Sequence, residues 1–310
     1  MTSSLGSYLV RRLGLAIPTL LGVTIVVFLL VRMIPGDPAR VIAGLLAGEE
    51  EIQRLRVELG LDKPMYIQYT IFLGHLLRGN LGKSAATRAP VTEEIAIRMG
   101  ATVQLAVSSI IVATVVGLAA GIASATRQYS VLDFTVMTIA LFGISIPVFW
   151  LGIMLMLLFS VALHWFPAGG YGTPAHLVLP TVALAAFSVA IIARMTRSSL
   201  LETFGHDYVR TARAKGLRDR VVVLRHALKN ALIPILTVVG LQFGALLSGA
   251  ILTETTFAWP GMGRLLVNSI SARDYPVIQG IALIFAIIFT VVNLAVDLLY
   301  AYVDPRIHYA

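Results

Sequence analysis

Cysteine is absent from all 310 residues, which removes disulfide staples and thiolate metal sites from consideration and leaves the redox compartment open. Charge is scarce as well. Asp, Glu, Lys and Arg make up 13% of the chain while 57% is hydrophobic, a balance that excludes an ordinary soluble domain and points to a chain embedded in lipid. Acidic residues are the scarcer charges, 16 against 24 Lys and Arg, for a formal charge of +8. That excess is no nucleic-acid footprint, because the positives gather beside apolar stretches and no basic groove interleaved with aromatics is visible. Internal repeats and low-complexity segments are also missing. A transporter pathway with two-fold symmetry would then need a second subunit rather than a second half of this chain.

Catalytic constellations are missing too. His164 and His176 lack metal-ligand spacing, Gly143-Ile-Ser145-Ile146 falls short of an intramembrane serine motif, and no pair of carboxylates lies within the apolar stretches. Gly79-Asn-Leu-Gly82-Lys83-Ser84 ends like a phosphate-binding loop, but that pattern requires glycine at position 77, which is Leu77. The reading is therefore not an enzyme, with no cofactor or metal held by this chain. Gln104, Gln242, Asn293 and Asp297 are the few candidates for intramembrane polar chemistry, Asp297 falling near the inner end of its stretch.

What is present is a set of six uncharged runs long enough to cross a bilayer: 13–31, 101–125, 134–163, 177–193, 230–253 and 275–296. The first follows Arg11-Arg12 without a small-x-small cleavage pattern and reads as an uncleaved span. The fourth has about the minimum length and places Pro180 in its first turn. Pro167, Gly169, Gly170, Gly172 and Pro174 separate it from the third, with Trp165, Phe166 and Tyr171 set like an interfacial belt. Pro147, in the middle of the third run, is expected to kink or break the helix, with Ser145 able to satisfy a freed carbonyl; the pair is a candidate pathway kink, with ordinary packing as the alternative. Small residues recur every fourth position at Ala113, Gly117, Gly121 and Ala125, and again at Gly240, Gly244 and Ser248. These stripes are candidates for close helix packing or a subunit interface.

Orientation follows from the cations. With the N-terminus inside, the inner segments 1–12, 126–133, 194–230 and 301–310 hold 13 Lys and Arg, whereas the short outer loops 164–176 and 254–276 hold two. The long loop 32–100 carries nine more, balanced by eight acids, and long translocated segments escape the rule. Both termini are expected in the cytoplasm. Within the long loop, helices are expected from Glu49 to Leu59, ending at Gly60, and after Lys63-Pro64, with Thr92-Glu-Glu-Ile95 capping a third.

The basic segment from Arg194 to Lys229 holds nine Lys and Arg against Glu202, Asp207 and Asp219. Inside it Asp207 is placed to cap a short helix, Tyr208-Val-Arg-Thr-Ala-Arg-Ala-Lys215, that Gly216 stops. So short a helix is not stable alone. Between two spans it reads as a handle gripped by another cytoplasmic protein.

This segment, with His226-Ala-Leu-Lys-Asn-Ala-Leu-Ile-Pro234, resembles the EAA loop of binding-protein-dependent ABC importer permeases, although Arg210, Thr211 and Ala212 stand where that pattern has Glu-Ala-Ala. The dipeptide/oligopeptide/nickel branch is matched further by Ala16-Ile-Pro-Thr-Leu-Leu-Gly22, Arg32-Met-Ile-Pro-Gly-Asp-Pro38, Leu59-Gly-Leu-Asp-Lys-Pro64 and Leu77-Arg-Gly-Asn-Leu-Gly82. Thr253-Glu-Thr-Thr-Phe-Ala-Trp-Pro-Gly-Met-Gly263, Ala272-Arg-Asp-Tyr-Pro276 and Asp304-Pro-Arg306 complete the match.

The resemblance implies an all-α polytopic membrane protein with six transmembrane helices and the type I ABC importer permease fold. Its parts would be an N-terminal tail and first helix (1–31), an extracytoplasmic helical loop (32–97), a core permease domain (98–300) with coupling loop 194–230, and a cytoplasmic tail (301–310). It implies a plasma (inner) membrane location, a second homologous permease subunit in a heterodimer, two ATPase subunits carrying ATP-Mg, and an extracytoplasmic binding protein. The expected cargo is di- or oligopeptides, with nickel chelates, glutathione or oligosaccharides as alternatives. Asp207, Tyr208, Arg210, Ala212, Arg213, Ala214, Lys215 and Gly216 would form the coupling helix. A self-contained secondary transporter is the competing class, and the scarcity of intramembrane carboxylates weighs against it.

Overall fold

The computed structural model describes residues 2–33, 38–43, 47–58 and 60–303. The expected motif at 304–306 and most of 35–38 lie outside these residues, as do the side chains of Ser248 and Asp297. Among the described residues every element is helical, and the only β pairing is an isolated antiparallel bridge between Lys83 and Pro90. Among the described residues four helices are long and apolar enough to cross a membrane, Val91–Thr126, Pro174–Phe204, Asp219–Leu247 and Tyr275–Val296, and the number is five when one bent pair is counted as a single span. The first expected span is a shorter apolar segment, Gly14–Leu30, within helix α1 (Thr2–Met33).

The chain divides into two compact units. The first comprises Met1–Thr102 and Pro260–Thr290. In it α1 packs on α4 (Met65–Leu77) through Phe28, whose ring meets Tyr69 edge-on at 5.3 Å, while Thr24 and Tyr69 share a hydroxyl hydrogen bond of 2.8 Å. The small helices α2 (Pro38–Ala43) and α3 (Glu49–Glu58) bury Ala39, Ala43 and Ile52 against one another. As expected, α3 stops before Gly60, at φ +64°, and Pro64 precedes α4. The third loop helix differs. Helix α5 (Val91–Thr126) starts after Pro90, whose carbonyl accepts from the amides of Glu93 and Glu94, so Thr92 lies inside the helix rather than at its cap. The start of α5 packs on α13 (Met262–Ser271) and the start of α14 (Tyr275–Val303) through Val91, Ile95, Met262, Val277 and Ile281.

The second unit, Val103–Trp259 and Val291–Ala310, holds the remaining elements. The expected third span is not one straight helix. It is α6 (Val131–Ser145) and α7 (Val148–Leu155), the latter continued by a π-turn at Met156–Ala162, and the two limbs bend by 106°. Pro147 has no N–H to give and holds Ile146 in extended backbone, ψ 125°. Ser145 donates to the Leu141 carbonyl at 2.9 Å, a bond within its own helix rather than a repair of the break. The fourth span is longer than expected. Helix α8 (Pro174–Phe204) opens on Pro174, so Pro180 sits inside it, and Arg194 and Arg197 belong to the same rod as the span. Then come α9 (Asp207–Ala214), α10 (Asp219–Val221), a π-turn at Val222–Ala227, α11 (Leu228–Gly249) and α12 (Ile251–Thr256).

Close approach in this unit depends on missing side chains. A Cβ on Gly117 would stand 2.8 Å from Ile192, one on Gly121 would be 2.5 Å from Thr196 and 2.6 Å from the Ala193 carbonyl, and one on Gly240 would meet Val296 at 2.1 Å. Gly117 and Gly121 thus seat α5 on α8, and Gly240 seats α11 on α14. These contacts lie within one chain, and van der Waals packing of this kind takes over where lipid offers no hydrophobic drive between helices. Gly244 is buried on the same helix as Gly240.

Candidate functional site

The basic segment folds into a short helix packed against its own unit. Helix α9 is flanked by His206 in extended backbone, so Asp207 is the first helical residue and not the cap expected from sequence, and its carboxylate caps no helix amide. It faces Arg210 at 3.7 Å instead, both side chains being largely exposed. The far end closes as anticipated. Gly216 takes φ +75°, its amide donates to the Arg213 carbonyl at 2.9 Å, and the Leu217 amide reaches the Ala212 carbonyl at 3.4 Å. This paired closure is the Schellman arrangement, which satisfies carbonyls that would otherwise be orphaned.

One face of α9 is welded to the body of its unit. Val209 and Ala212 are buried in a cluster with Leu200 of α8, Val222 and Ala227 of the second π-turn, and Ile235 of α11. Asn230, at the foot of α11, donates to the Tyr208 hydroxyl at 2.8 Å, and the Tyr208 ring stacks on His206. A push on α9 therefore acts on two spans at once, because tightly packed contacts transmit displacement rather than absorb it.

The other face is open. Tyr208, Arg210, Ala214, Lys215, Leu217, Arg218, Arg220, Val221 and Leu224 are exposed, a mixture of cations and apolar side chains. Two expected contributors differ from the rest of this face. Ala212 is 6% exposed and belongs to the core, which leaves Ala214 as the exposed alanine of this helix. Arg213 folds back over the Phe204 ring, 5.6 Å from its centroid, and faces Asp219 at 3.6 Å. The exposed Leu217, Val221 and Leu224 had no signal beyond ordinary loop hydrophobes; Leu217 follows the closure of α9, and Val221 and Leu224 flank the buried Val222 and Val223.

Arg197, one of the nine cations of the basic segment, has a structural task. Its guanidinium makes a two-pronged bond to Asp133, Nε to Oδ1 and Nη2 to Oδ2, each 2.7 Å, while Ser124 Oγ and the Tyr129 amide also donate to that carboxylate. The clamp ties the α5–α6 turn to the helix that carries α9. Planar forks of this kind fix orientation as well as distance.

Ser145 and Pro147, the candidate pathway kink, are exposed at the break between α6 and α7. Gln104 accepts from the Tyr171 hydroxyl at 3.1 Å and Gln242 donates to Ser188 at 3.1 Å, so these polar groups tie elements together. Asn293 Oδ1 is buried and has no partner among the described residues. The Gly79–Ser84 turn holds an anion, but the anion is internal: Ser84 Oγ and the amides of Ala85 and Ala86 all donate to the Asp274 carboxylate. No group of three or more His, Asp or Glu that would suit a metal is found among the described residues.

An all-helical, multi-pass chain with a buried-backed, basic-faced helix between two spans has the make-up of an ABC importer permease. The comparisons agree. Family models described as "Binding-protein-dependent transport system inner membrane component" and its N-terminal counterpart match residues 113–309 and 5–106. The chain is 47% identical to the dipeptide transport system permease protein DppB of Alkalihalophilus pseudofirmus, covering 98% of this chain and 99% of that one. It is 49% identical to the glutathione transport system permease protein GsiC of Pectobacterium atrosepticum, with the same coverage. In fold it is similar to a chain of the inward-facing MetNI methionine ABC transporter, at TM-score 0.59 and 20% identity over 69% of this chain and 97% of that one. The chain belongs to the binding-protein-dependent transport system inner membrane component family, within the branch of the dipeptide permeases.

Proposed function

We propose that this chain is the membrane-spanning half of an ATP-driven importer of di- and oligopeptides. The observation that carries the reading is near-complete alignment, at 47–49% identity, with permeases named for dipeptide and glutathione transport. Glutathione is the second reading, since it is itself a short peptide and the permeases named for it match equally well. Two cytoplasmic ATPase subunits with ATP-Mg, a second permease subunit forming a heterodimer, and an extracytoplasmic binding protein complete the machine. The chain sits in the inner membrane with both termini in the cytoplasm, and no step of the chemistry is its own.

In this mechanism the exposed side of α9 inserts into the ATPase subunit. Arg210 and Lys215 supply complementary charge, Tyr208 and Leu217 supply apolar contact, and Ala214 allows close approach. When the ATPase pair closes around ATP, the displacement enters through Val209 and Ala212 into the feet of α8 and α11. Arg197 and Asp133 carry it to the α5–α6 turn, and the spans tilt between outward and inward access.

Reconstitution into liposomes with both ATPase subunits, the second permease and the binding protein tests the reading. Uptake of a labelled dipeptide, dependent on ATP and on the binding protein and inhibited by unlabelled dipeptide more strongly than by glutathione, is expected. Uptake by this chain alone would instead establish a self-contained transporter and end the proposal.

A further inference from the structure

The first unit contains a cavity of about 150 Å³ between the end of α1, α4, the turn at Asn80–Gly82 and the start of α14. Its walls are mainly apolar, with Phe72, Leu76 and Leu283 among them, but Arg32, Gln68 and His75 also line it. Arg32 follows the last residues of the apolar segment of α1. Its Nε donates to Gln68 Oε1 at 2.9 Å, one terminal nitrogen donates to the Phe28 carbonyl at 3.2 Å, and the guanidinium lies 3.5 Å from the Phe28 ring centroid. Every one of these partners is neutral. Gln68 is itself held, its amide donating to the carbonyls of Leu61 and Lys63, so the fork beneath Arg32 is fixed.

A guanidinium has five N–H donors, and this one spends two on the described residues, with no Asp or Glu among the described cavity walls. Burial lowers its pKa to about 10, the expected response of a cation deprived of water. A cation so placed has donors to spare for an acceptor that carries negative charge, and charge-assisted bonds to carboxylate or phosphate are the strong ones. The volume limits the guest. At about 150 Å³ the space suits one oxyanion group and the first carbons of a stem.

We propose that this cavity is a binding site for an oxyanion, phosphate or carboxylate, carried on an apolar stem, with Arg32 as the anchor, Gln68 as the residue that aims it and His75 at the rim. An anionic phospholipid headgroup and the carboxylate end of a small solute share this chemistry. The site is separate from the α9 handle and does not depend on the peptide reading.

The assembled transporter, stripped of lipid and returned to nanodiscs, is the material for the test. Native mass spectrometry counts retained phosphatidylglycerol against phosphatidylcholine, and hexanoate serves as the soluble competitor. Wild type is expected to retain phosphatidylglycerol selectively or to bind hexanoate. Arg32→Gln should weaken that binding at least tenfold, about the cost of losing a charge-assisted contact. Arg32→Lys should restore part of it. Leu76→Trp, which fills the cavity and keeps the charge, should weaken binding as Arg32→Gln does. Displacement of phosphatidylglycerol by hexanoate assigns the site to soluble carboxylates, and its persistence assigns it to lipid. Binding of both probes unchanged in Arg32→Gln and in Leu76→Trp would overturn the proposal, leaving Arg32 a cation satisfied by Phe28 and Gln68.

Discussion

Gly216 holds φ +75° with nothing within 4 Å of where a Cβ would stand, so any substitution there is charged for backbone strain alone. For an L-residue with an ordinary side chain that strain is about 1–2 kcal/mol, whereas asparagine visits the same region with little penalty. Gly216→Val is therefore expected to misdirect the exit of α9 and loosen the coupling of transport to ATP hydrolysis, while Gly216→Asn keeps it. The ratio of dipeptide taken up to ATP hydrolysed, measured in proteoliposomes, distinguishes the two. Equal ratios in wild type and Gly216→Val would show that the cap geometry does not matter. Arg197 illustrates the opposite case at this scale. As a letter in a basic segment it is indistinguishable from Arg194 or Lys229, and only the fold, by bringing Asp133 and Ser124 to its fork, gives it a task.

Among elements, the ones legible in the sequence were those written in local chemistry. The stop at Gly216, the end of α3 before Gly60 and the break at Pro147 each follow from a residue whose own backbone preferences decide the matter. What was illegible depended on partners distant in sequence. The length of α8 reaches Phe204 because Leu200 and Thr203 are buried, although Arg194 and Arg197 look like the end of a span. Asp207 looked like a cap, yet His206 already holds the extended conformation that a cap requires. The 106° bend between α6 and α7 also exceeds what a proline kink alone implies. Gly152 of α7 approaches Phe257, a Cβ there standing 2.9 Å from its ring, which fixes the second limb. If the break lines the translocation path, Ser145→Cys should react with a charged, water-soluble thiol reagent faster than Leu141→Cys one turn away, and the rate should change when ATP is added. Equal, slow labelling at both positions would place the break against lipid and remove Pro147 from the pathway.

For the whole molecule, the distribution of cations and the distribution of mechanical parts make the same demand. On the proposed mechanism the exposed cations of the α9 segment are useful only where ATP is hydrolysed, and the positive-inside rule predicts that segment, with its nine Lys and Arg, on the cytoplasmic side. The loop at 32–100 carries as many positives but matches them with eight acids, and several of its charges pair locally, as Arg40 with Glu49 and Arg98 with Glu94 do, so it offers the membrane little net field. The absence of native cysteine makes this orientation unusually direct to measure, because one introduced thiol is the only thiol. Lys63→Cys and Arg127→Cys both replace exposed residues, one ahead of α4 and one in the α5–α6 turn. A membrane-impermeant maleimide applied to intact spheroplasts should label Lys63→Cys at once and Arg127→Cys only after permeabilisation. The reverse pattern would turn the chain over, put α9 on the side without ATP, and make a motor-driven handle physically untenable.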